Sequence, residues 1–430
     1  MIFGMAARAE SKRRVENRDI SDRFRKYIGR QVSYFTHGIH RYPAKFIPQV
    51  PRFCLDKYSR PGDSVIDPFM GSGTTLLEAM LMGRDCYGID IHPLARLITK
   101  VKLTPIDQRE LKSAAESLIK SIDSDGDDNR SCIPEIPNFD HWFREEVANE
   151  LATIKKHIWQ LPKGDIRDFL TICFSSVIRR VSNSDDFSLI PEVTTFQKKL
   201  VEQEKVDFDA KTRFENTVRQ RMIDVQDLNK ALAKSRKKYK HEPDVSIIGR
   251  DARDIDLEDE SIDLGITSPP YASAVHYVSV HKLEMYWLDI MAIDPELDKR
   301  IVGTIKAYAN EYNNWSPGGI LPEIDSLVRK VAESDQKSGY ILHRYFVDMR
   351  KSFDEMHRVL CSDGAYCVVA GENMLKKTKI PTFKLLRLLA MDVGFKSEAV
   401  FDYDIINRHL DVPRWNNSAI QQDHIIVLRK

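Results

Sequence analysis

The chain has 430 residues, with 65 Lys or Arg against 64 Asp or Glu, so its formal net charge is +1 and any basic surface for nucleic acid has to be local. A hydrophobic share of 42% is ordinary for a globular protein with a sizeable core. Six scattered cysteines without a C-x-x-C pair argue against a zinc site or a disulfide framework, and no apolar run reaches membrane-spanning length, so we expect a cytoplasmic protein with no metal and no membrane partner.

The first 48 residues contain two different kinds of sequence. Residues 1–30 are charged and low in large apolar side chains, which predicts a partly ordered tail. Residues 34–48 are dense in His, aromatic residues and Pro, and Pro43 and Pro48 deny them a continuous helix. A segment directly before a strand can lie against the turn at that strand's end, although for Phe46 a place in the core fits equally well.

The chain is organised around a short strand, a glycine turn and a helix. Val65 and Ile66 are β-branched and apolar, which indicates a buried strand. Gly71 and Gly73 permit a tight turn and the close approach of a ligand. The helix expected over residues 74–82 would begin with free N–H groups that point into that gap.

A second strand, expected over residues 86–91, carries the carboxylate of Asp90 near its end, which completes the βαβ plan of a nucleoside site. The turn lacks the third glycine of the dinucleotide fingerprint and the Gly-Lys pair of a P-loop. Asp67, directly before the turn, would repel phosphate but suit a cation. S-adenosylmethionine, a sulfonium with an amino-acid tail, fits that polarity, and Asp90 would then accept from the ribose hydroxyls.

Residues 105–243 do not alternate between strands and helices. Apolar residues recur at spacings of three and four over 143–161 and 211–238, which is typical of amphipathic helices, and another helix fits 166–181. We therefore expect a mainly helical insertion in an α/β unit. Its basic end suits contact with phosphate, but a solvated helix end fits the same pattern.

The alternation of strands and helices resumes after this insertion. Further strands are expected over 245–248, 262–267, 365–370, 396–402 and 424–428. With the first two strands they give about seven around one sheet. We therefore predict a Rossmann-like, doubly wound, mostly parallel α/β domain formed by residues 31–104 and 244–430, with an excursion over 272–340.

A second chemical motif, Ser268-Pro269-Pro270-Tyr271, directly follows the strand at 262–267. Consecutive prolines hold an extended backbone that cannot donate hydrogen bonds, so the preceding carbonyls stay free to accept. Ser268 adds a side-chain acceptor and Tyr271 adds a flat face, which together suit the exocyclic amino group of a planar base. Because ligands bind at the carboxyl ends of parallel strands, we expect this motif and the glycine turn to share a cleft.

Residues 67–75 and the Thr-Ser-Pro-Pro-Tyr of 267–271 together resemble the amino-methyltransferases of DNA, and residues 42–48 resemble that family's cofactor-side motif. The resemblance covers roughly 34–100 and 245–430. It implies that Ser268, Pro269, Pro270 and Tyr271 hold the target base for catalysis. It also implies that S-adenosylmethionine is bound by Tyr42, Lys45, Phe46, Asp67, Pro68, Phe69, Gly71, Gly73, Thr74, Asp90, Ile91, Asp251 and Ala252.

The resemblance further implies a reaction and partners. The Ser-Pro-Pro-Tyr form is similar to the cytosine-N4 branch, whereas the adenine-N6 branch usually has Asp in place of Ser268. The implied partner is double-stranded DNA, whose target base is flipped out and stacked on Tyr271, and in restriction–modification a cognate restriction endonuclease. Asp251 would accept from the adenine amino group of the donor, a role for which Asp254 competes.

Three functions stay open on the sequence alone. The first is cytosine-N4 methylation of DNA. The second keeps the chemistry with another acceptor, adenine-N6 in DNA or a guanine amino group in tRNA. The third is a nucleic-acid binder with a relic donor site, against which the intact Asp67, Gly71, Gly73 and Ser268 argue. The insertion and the 272–340 excursion are both candidates for reading the DNA sequence.

Overall fold

The computed structural model describes residues 33–43, 45–186, 188–195, 197–198, 208–272, 277–294, 296–404 and 422–430, together with Ser21 and Phe24. The tail predicted over residues 1–30 therefore lies outside the described residues, apart from those two positions. Among the helices within the described ranges, none has the length and apolar character needed to cross a membrane.

Nine strands are present in the described residues. They are β1 (Ser64–Asp67), β2 (Asp85–Gly88), β3 (Val245–Ile247), β4 (Ile262–Thr267), β5 (Leu360–Ala370), β6 (Asn373–Leu375), β7 (Thr378–Ile380), β8 (Lys396–Asp404) and β9 (Gln422–Arg429). Seven of them form one sheet in the order β3-β2-β1-β4-β5-β9-β8, and β6 and β7 form a separate hairpin. The pairs from β3 to β5 are parallel, and β9 pairs antiparallel with both β5 and β8. The predicted seven-stranded, mostly parallel fold is confirmed.

The strand order reverses direction between β1 and β4. From β1 the chain moves outward to β2 and β3, and it then returns to place β4 on the other side of β1. In doubly wound sheets such a reversal opens a crevice at the carboxyl ends of the strands, where ligands bind. Both predicted motifs follow strands at this point, one after β1 and the other after β4.

Helices cover both faces of the sheet. They are α1 (Gln49–Tyr58), α2 (Thr74–Leu81) and α3 (Pro93–Leu103) in the first part, with α14 (Pro322–Ser334), α15 (Gln336–Val359) and α16 (Thr382–Val393) in the last. Because side chains alternate along a strand, Val65 and Ile66 enter different cores. Val65 packs with Leu76 of α2, and Ile66 lies in the cluster that contains Phe353 of α15.

After α3, the described residues of the segment between β2 and β3 contain helices and no strand. The segment contains α4 (Gln108–Ser124), α5 (Phe139–Trp142), α6 (Glu145–Gln160), α7 (Asp165–Ile178) and α8 (Ala210–Tyr239). The helices predicted over 143–161, 166–181 and 211–238 are thus confirmed. Phe214 and Val218 of α8 belong to the core of this segment, whereas Leu232 of the same helix belongs to a core of the sheet.

In its described residues, the part of the excursion that precedes α14 contains five short helices. They are α9 (Tyr277–Val280), α10 (Lys282–Trp287), α11 (Ile290–Ile293), α12 (Leu297–Arg300) and α13 (Ala309–Tyr312). Short 3-10 turns also occur at Phe35–Gly38, Arg130–Cys132 and Arg179–Val181.

Two predicted strand boundaries were wrong. β2 ends at Gly88 rather than at residue 91, because the side chain of Asp90 accepts the N–H groups of Gly71 and His92 and the backbone leaves the sheet there. β5 begins at Leu360 rather than near residue 365, because its pairing with β4 continues across an irregularity in the register between Ile262 and Leu264.

Candidate active site

A cavity opens at the carboxyl ends of β1, β2, β3 and β4. Its empty space, which includes the part open to solvent, is about 820 Å³. The residues that follow each of these four strands contribute to its walls. The glycine turn after β1 and the Ser-Pro-Pro-Tyr motif after β4 therefore meet in one cleft, as the sequence predicts.

Most residues predicted for the site line this cavity. Those that do are Tyr42, Lys45, Phe46, Asp67, Pro68, Phe69, Gly71, Thr74, Asp90, Ile91, Asp251, Ala252, Ser268 and Pro270. Gly73, Pro269 and Tyr271 are not among its lining residues. The roles of all these residues toward a cofactor or a base stay predictions.

Asp67 joins the two motifs directly. Its Oδ1 accepts from Thr267 Oγ1 at 2.6 Å and from the Phe69 N–H at 3.1 Å, and its Oδ2 accepts from Thr75 Oγ1 at 2.7 Å. The carboxyl group is buried, and this burial raises its pKa to about 6 although the three hydrogen bonds act in the opposite direction. A buried carboxylate of this kind favours a cationic partner in the cleft.

The second carboxylate, Asp90, holds the glycine turn in place. Asp90 Oδ2 accepts from the Gly71 N–H at 2.9 Å, and Oδ1 accepts from the His92 N–H at 2.8 Å. Burial raises the pKa of Asp90 to about 6 as well. Each carboxylate oxygen can accept more than one hydrogen bond, so these contacts leave room for ribose hydroxyls.

The glycine turn needs its glycines for two separate reasons. Gly73 has a φ of +72°, and a Cβ there would lie 2.6 Å from Thr99 Cγ2. Gly71 has a φ of +50°, and a Cβ there would lie 3.0 Å from the ring of Tyr42. Both positions therefore combine a left-handed backbone with close packing.

Tyr42 forms part of an aromatic stack beside the turn. Its ring lies 5.3 Å from the ring of His281 and 5.8 Å from that of Tyr277, both nearly parallel to it. His281 and Tyr277 come from the excursion after β4, so the stack joins that excursion to the segment before β1. Burial raises the pKa of Tyr42 well above its ordinary value, and the phenol stays neutral.

Lys45 and Phe46 both line the cavity. Lys45 Nζ donates to the His37 carbonyl at 2.9 Å, and burial lowers the pKa of this lysine. Phe46 lines the cavity and also packs against a buried cluster of the sheet. The Phe46 side chain is thus part of the core and part of the cavity wall at the same time.

Asp251 is already paired with an arginine. Arg253 donates to both of its oxygens at 2.8 and 2.7 Å, and Arg253 also contacts Asp348 Oδ1 at 2.9 Å. Burial would raise the pKa of Asp251, but the hydrogen bonds from Arg253 hold it below its ordinary value. Arg253 donates to the Arg300 carbonyl too, which links this carboxylate to another residue of the cavity lining.

The acceptor motif leaves one hydroxyl free. Within the described part of the chain, Ser268 Oγ has no hydrogen-bond partner, and this residue is half-buried in the cavity wall. Pro269 is buried, while Pro270 is half-buried and lines the cavity. Tyr271 Oη donates to Asp423 Oδ1 at 3.2 Å.

Several lining residues were not predicted. They are Pro43, Met70, Ser72, His92, Arg250, Tyr277, Arg300, Ile301 and Val302. Arg250 directly precedes Asp251, which was predicted for the site, so its position in the sequence could have indicated that it lines the cavity. Arg300 to Val302 lie in the excursion and belong to no motif, so only the folded chain brings them to the cleft. Across the described ranges, no three or more His, Cys, Asp or Glu side chains form a group suited to a metal ion.

Comparison with known proteins finds one matching family model and several similar methyltransferases. A family model described as DNA methylase matches residues 5–100. The Type II methyltransferase M.MvaI of Kocuria varians is 28% identical over 387 residues, which are 83% of this chain and 81% of that protein. M.BsoBI of Geobacillus stearothermophilus is 22% identical over 85% of this chain and 79% of its own length. M.MjaII of Methanocaldococcus jannaschii is 53% identical over 76 residues, or 18% of this chain and 14% of that protein.

Proposed function

The chain belongs to the N4/N6 family of DNA methyltransferases, and we propose that it methylates the exocyclic amino group of cytosine, at N4, in double-stranded DNA. The observation that carries this proposal is the shared cleft, in which Thr267 Oγ1 donates to Asp67 Oδ1 across the two motifs. A donor beside Asp67 and an amino group beside Ser268 would then be neighbours.

The cavity fits S-adenosylmethionine, the methyl donor that the family implies. Two carboxylates, the buried Asp67 and the half-buried Asp90, would face a cation and its ribose, and Phe69, Ile91 and Val302 add apolar walls. When bound, S-adenosylmethionine supplies an electrophilic methyl group on a sulfonium centre. The residues of this chain bind it, orient it and exclude water, which are the main contributions that a protein makes to such a transfer.

Ser268 and Pro269 act on the acceptor. The unpaired Ser268 hydroxyl and the Pro269 carbonyl can both accept from an NH₂ group, which orients its nitrogen and raises the electron density there. A base inside a duplex cannot reach this cleft, so the target nucleotide has to be flipped out of the helix. Serine rather than aspartate at position 268 favours cytosine over adenine, and the names of the relatives favour a restriction–modification system with a cognate endonuclease.

The test is to methylate DNA with labelled donor, digest it to nucleosides and identify the nucleoside that gained mass. N4-methylcytosine is the expected product. N6-methyladenine as the product would overturn cytosine as the acceptor and favour adenine. Label found only in the guanine of tRNA would overturn DNA as the substrate.

Ser268→Ala tests the acceptor role of the hydroxyl. We expect kcat to fall by roughly 10²-fold, since one positioned hydrogen bond is lost from the reacting group, while the affinity for donor stays the same in a calorimetric titration. The matched control is Ser362→Ala, because Ser362 is an exposed serine at the amino-terminal end of β5, where it bonds Glu260. An equal loss of donor affinity in Ser268→Ala would argue against this role.

A further inference from the structure

Tyr271, the last residue of the acceptor motif, is held by its hydroxyl group. The Gly371 N–H donates to Tyr271 Oη at 2.9 Å, and Tyr271 Oη donates to Asp423 Oδ1 at 3.2 Å. A phenol has one proton to donate, so its donor capacity is used and one lone pair is taken. The ring cannot turn away from this position without losing both hydrogen bonds.

Asp423 is itself fixed by a second tyrosine. Tyr403 Oη donates to Asp423 Oδ2 at 3.2 Å, and Tyr403 lies directly opposite Asp423 in the antiparallel pairing of β8 with β9. Burial raises the pKa of Asp423, and the hydrogen bonds from the two tyrosines oppose that shift. One carboxyl group therefore bridges the edge of the sheet and the acceptor motif.

The backbone beside Tyr271 is held from other directions. Asn373 Nδ2 donates to the Ala272 carbonyl at 3.0 Å. Gly303 packs so closely that a Cβ there would lie 2.7 Å from the Tyr271 carbonyl oxygen. Several segments that follow the motif in the chain thus hold it in place, through the Tyr271 hydroxyl and through the backbone.

We propose that Asp423 is a positioning residue for methyl transfer, which acts by anchoring Tyr271 and thereby the acceptor motif, whose Ser268 and Pro270 line the cavity. This inference rests on the proposed function. Asp423 lies 152 positions from Tyr271 in the chain and belongs to none of the motifs that indicate the site. Asp423 is not among the described residues that line the cavity, and its side chain bonds Tyr271 and Tyr403, so we expect its effect on the acceptor side of the reaction.

A double-mutant cycle tests the coupling between the two side chains. Tyr271→Phe and Asp423→Ala are each expected to lower kcat about tenfold, with the KM for S-adenosylmethionine changed by less than about twofold. The double variant is expected to lose about tenfold rather than a hundredfold, since both changes break one connection. Asp423→Asn, which keeps one carbonyl oxygen as acceptor, should recover most of the lost rate.

Two further measurements distinguish a failure of the inference about Asp423 from a failure of the proposed function. Tyr403→Phe removes the other hydrogen bond to the same carboxyl group and should leave kcat within about twofold. Amide hydrogen exchange at Gly371 should accelerate in Tyr271→Phe and in Asp423→Ala, and this readout needs no catalysis. Losses that multiply in the double variant, or unchanged exchange in Asp423→Ala, would overturn the inference. No label in DNA with the wild-type chain would instead overturn the proposed function, and the exchange experiment would still decide the role of Asp423.

Discussion

At the scale of single residues, close packing around the glycine turn limits which side chains the turn can carry. Gly73 is the clearest case, because a Cβ at this position would be disfavoured by the left-handed backbone and would also collide with Thr99. Thr99 also donates from Oγ1 to the Gly71 carbonyl at 3.0 Å, so it cannot move aside without releasing the turn. The turn and α3 are therefore fitted to each other.

Gly73→Ala should lower the free energy of unfolding by about 2–4 kcal/mol, because an alanine is strained at this φ and its Cβ overlaps Thr99. Urea unfolding followed by tryptophan fluorescence measures the change, and a calorimetric titration should show weaker binding of S-adenosylmethionine. Gly126→Ala is the control, since a Cβ there has no atom within 4 Å and the expected change is below about 0.5 kcal/mol. Equal effects of the two substitutions would contradict this account.

At the scale of elements, Glu78 of α2 connects three parts of the chain. Its Oε1 accepts from Tyr34 Oη at 2.6 Å and from His37 Nε2 at 2.8 Å, and Arg52 Nε of α1 lies 2.9 Å from Oε2. Burial lowers the pKa of His37 to about 4, so the imidazole is neutral near pH 7 and Arg52 supplies the positive charge. A fully buried carboxylate thus anchors the segment before β1 to the helix after the glycine turn.

Glu78→Gln should reduce the free energy of unfolding by about 3 kcal/mol, since it leaves Arg52 and the other partners without the buried charge that they face. The control is Glu116→Gln on α4, where Glu116 and Lys112 form an exposed pair at 3.8 Å whose loss should cost below about 1 kcal/mol. Urea unfolding of both variants provides the comparison. A small effect at Glu78, like that of the surface pair, would show that this connection contributes little.

The elements themselves were largely predictable from local pattern. The strand at Val65 and Ile66 and the helix from Thr74 follow from a short apolar run, a glycine turn and a helical spacing of leucines, and both are present at β1 and α2. The local sequence pattern could not predict which strands pair with each other in the sheet. A strand was expected over 424–428, but nothing in its sequence shows that β9 lies between β5 and β8, and this placement brings Asp423 to Tyr271.

At the scale of the whole molecule, the cleft is closed by segments that are far apart in sequence. The glycine turn and the acceptor motif were predictable because each carries its chemistry in a few neighbouring residues. The wall at Arg300, Ile301 and Val302 has no such signature, since its contribution depends on where the excursion folds back. The burial of Asp67 and the partial burial of Asp90 are products of this closure, and so are their raised pKa values of about 6.

Those two carboxyl groups predict how donor binding depends on pH. Above pH 6 both are ionised and attract a sulfonium, and below pH 6 they are neutral, so the affinity should fall as the pH falls. We expect the dissociation constant of S-adenosylmethionine to rise roughly tenfold or more between pH 7.5 and pH 5 in calorimetric titrations. His92, which also lines the cavity, has its pKa lowered by burial to about 4 and stays neutral through this window. Asp90→Asn should make the dependence shallower, and a dissociation constant that does not change from pH 7.5 to 5 would exclude these carboxylates as the donor's electrostatic partners.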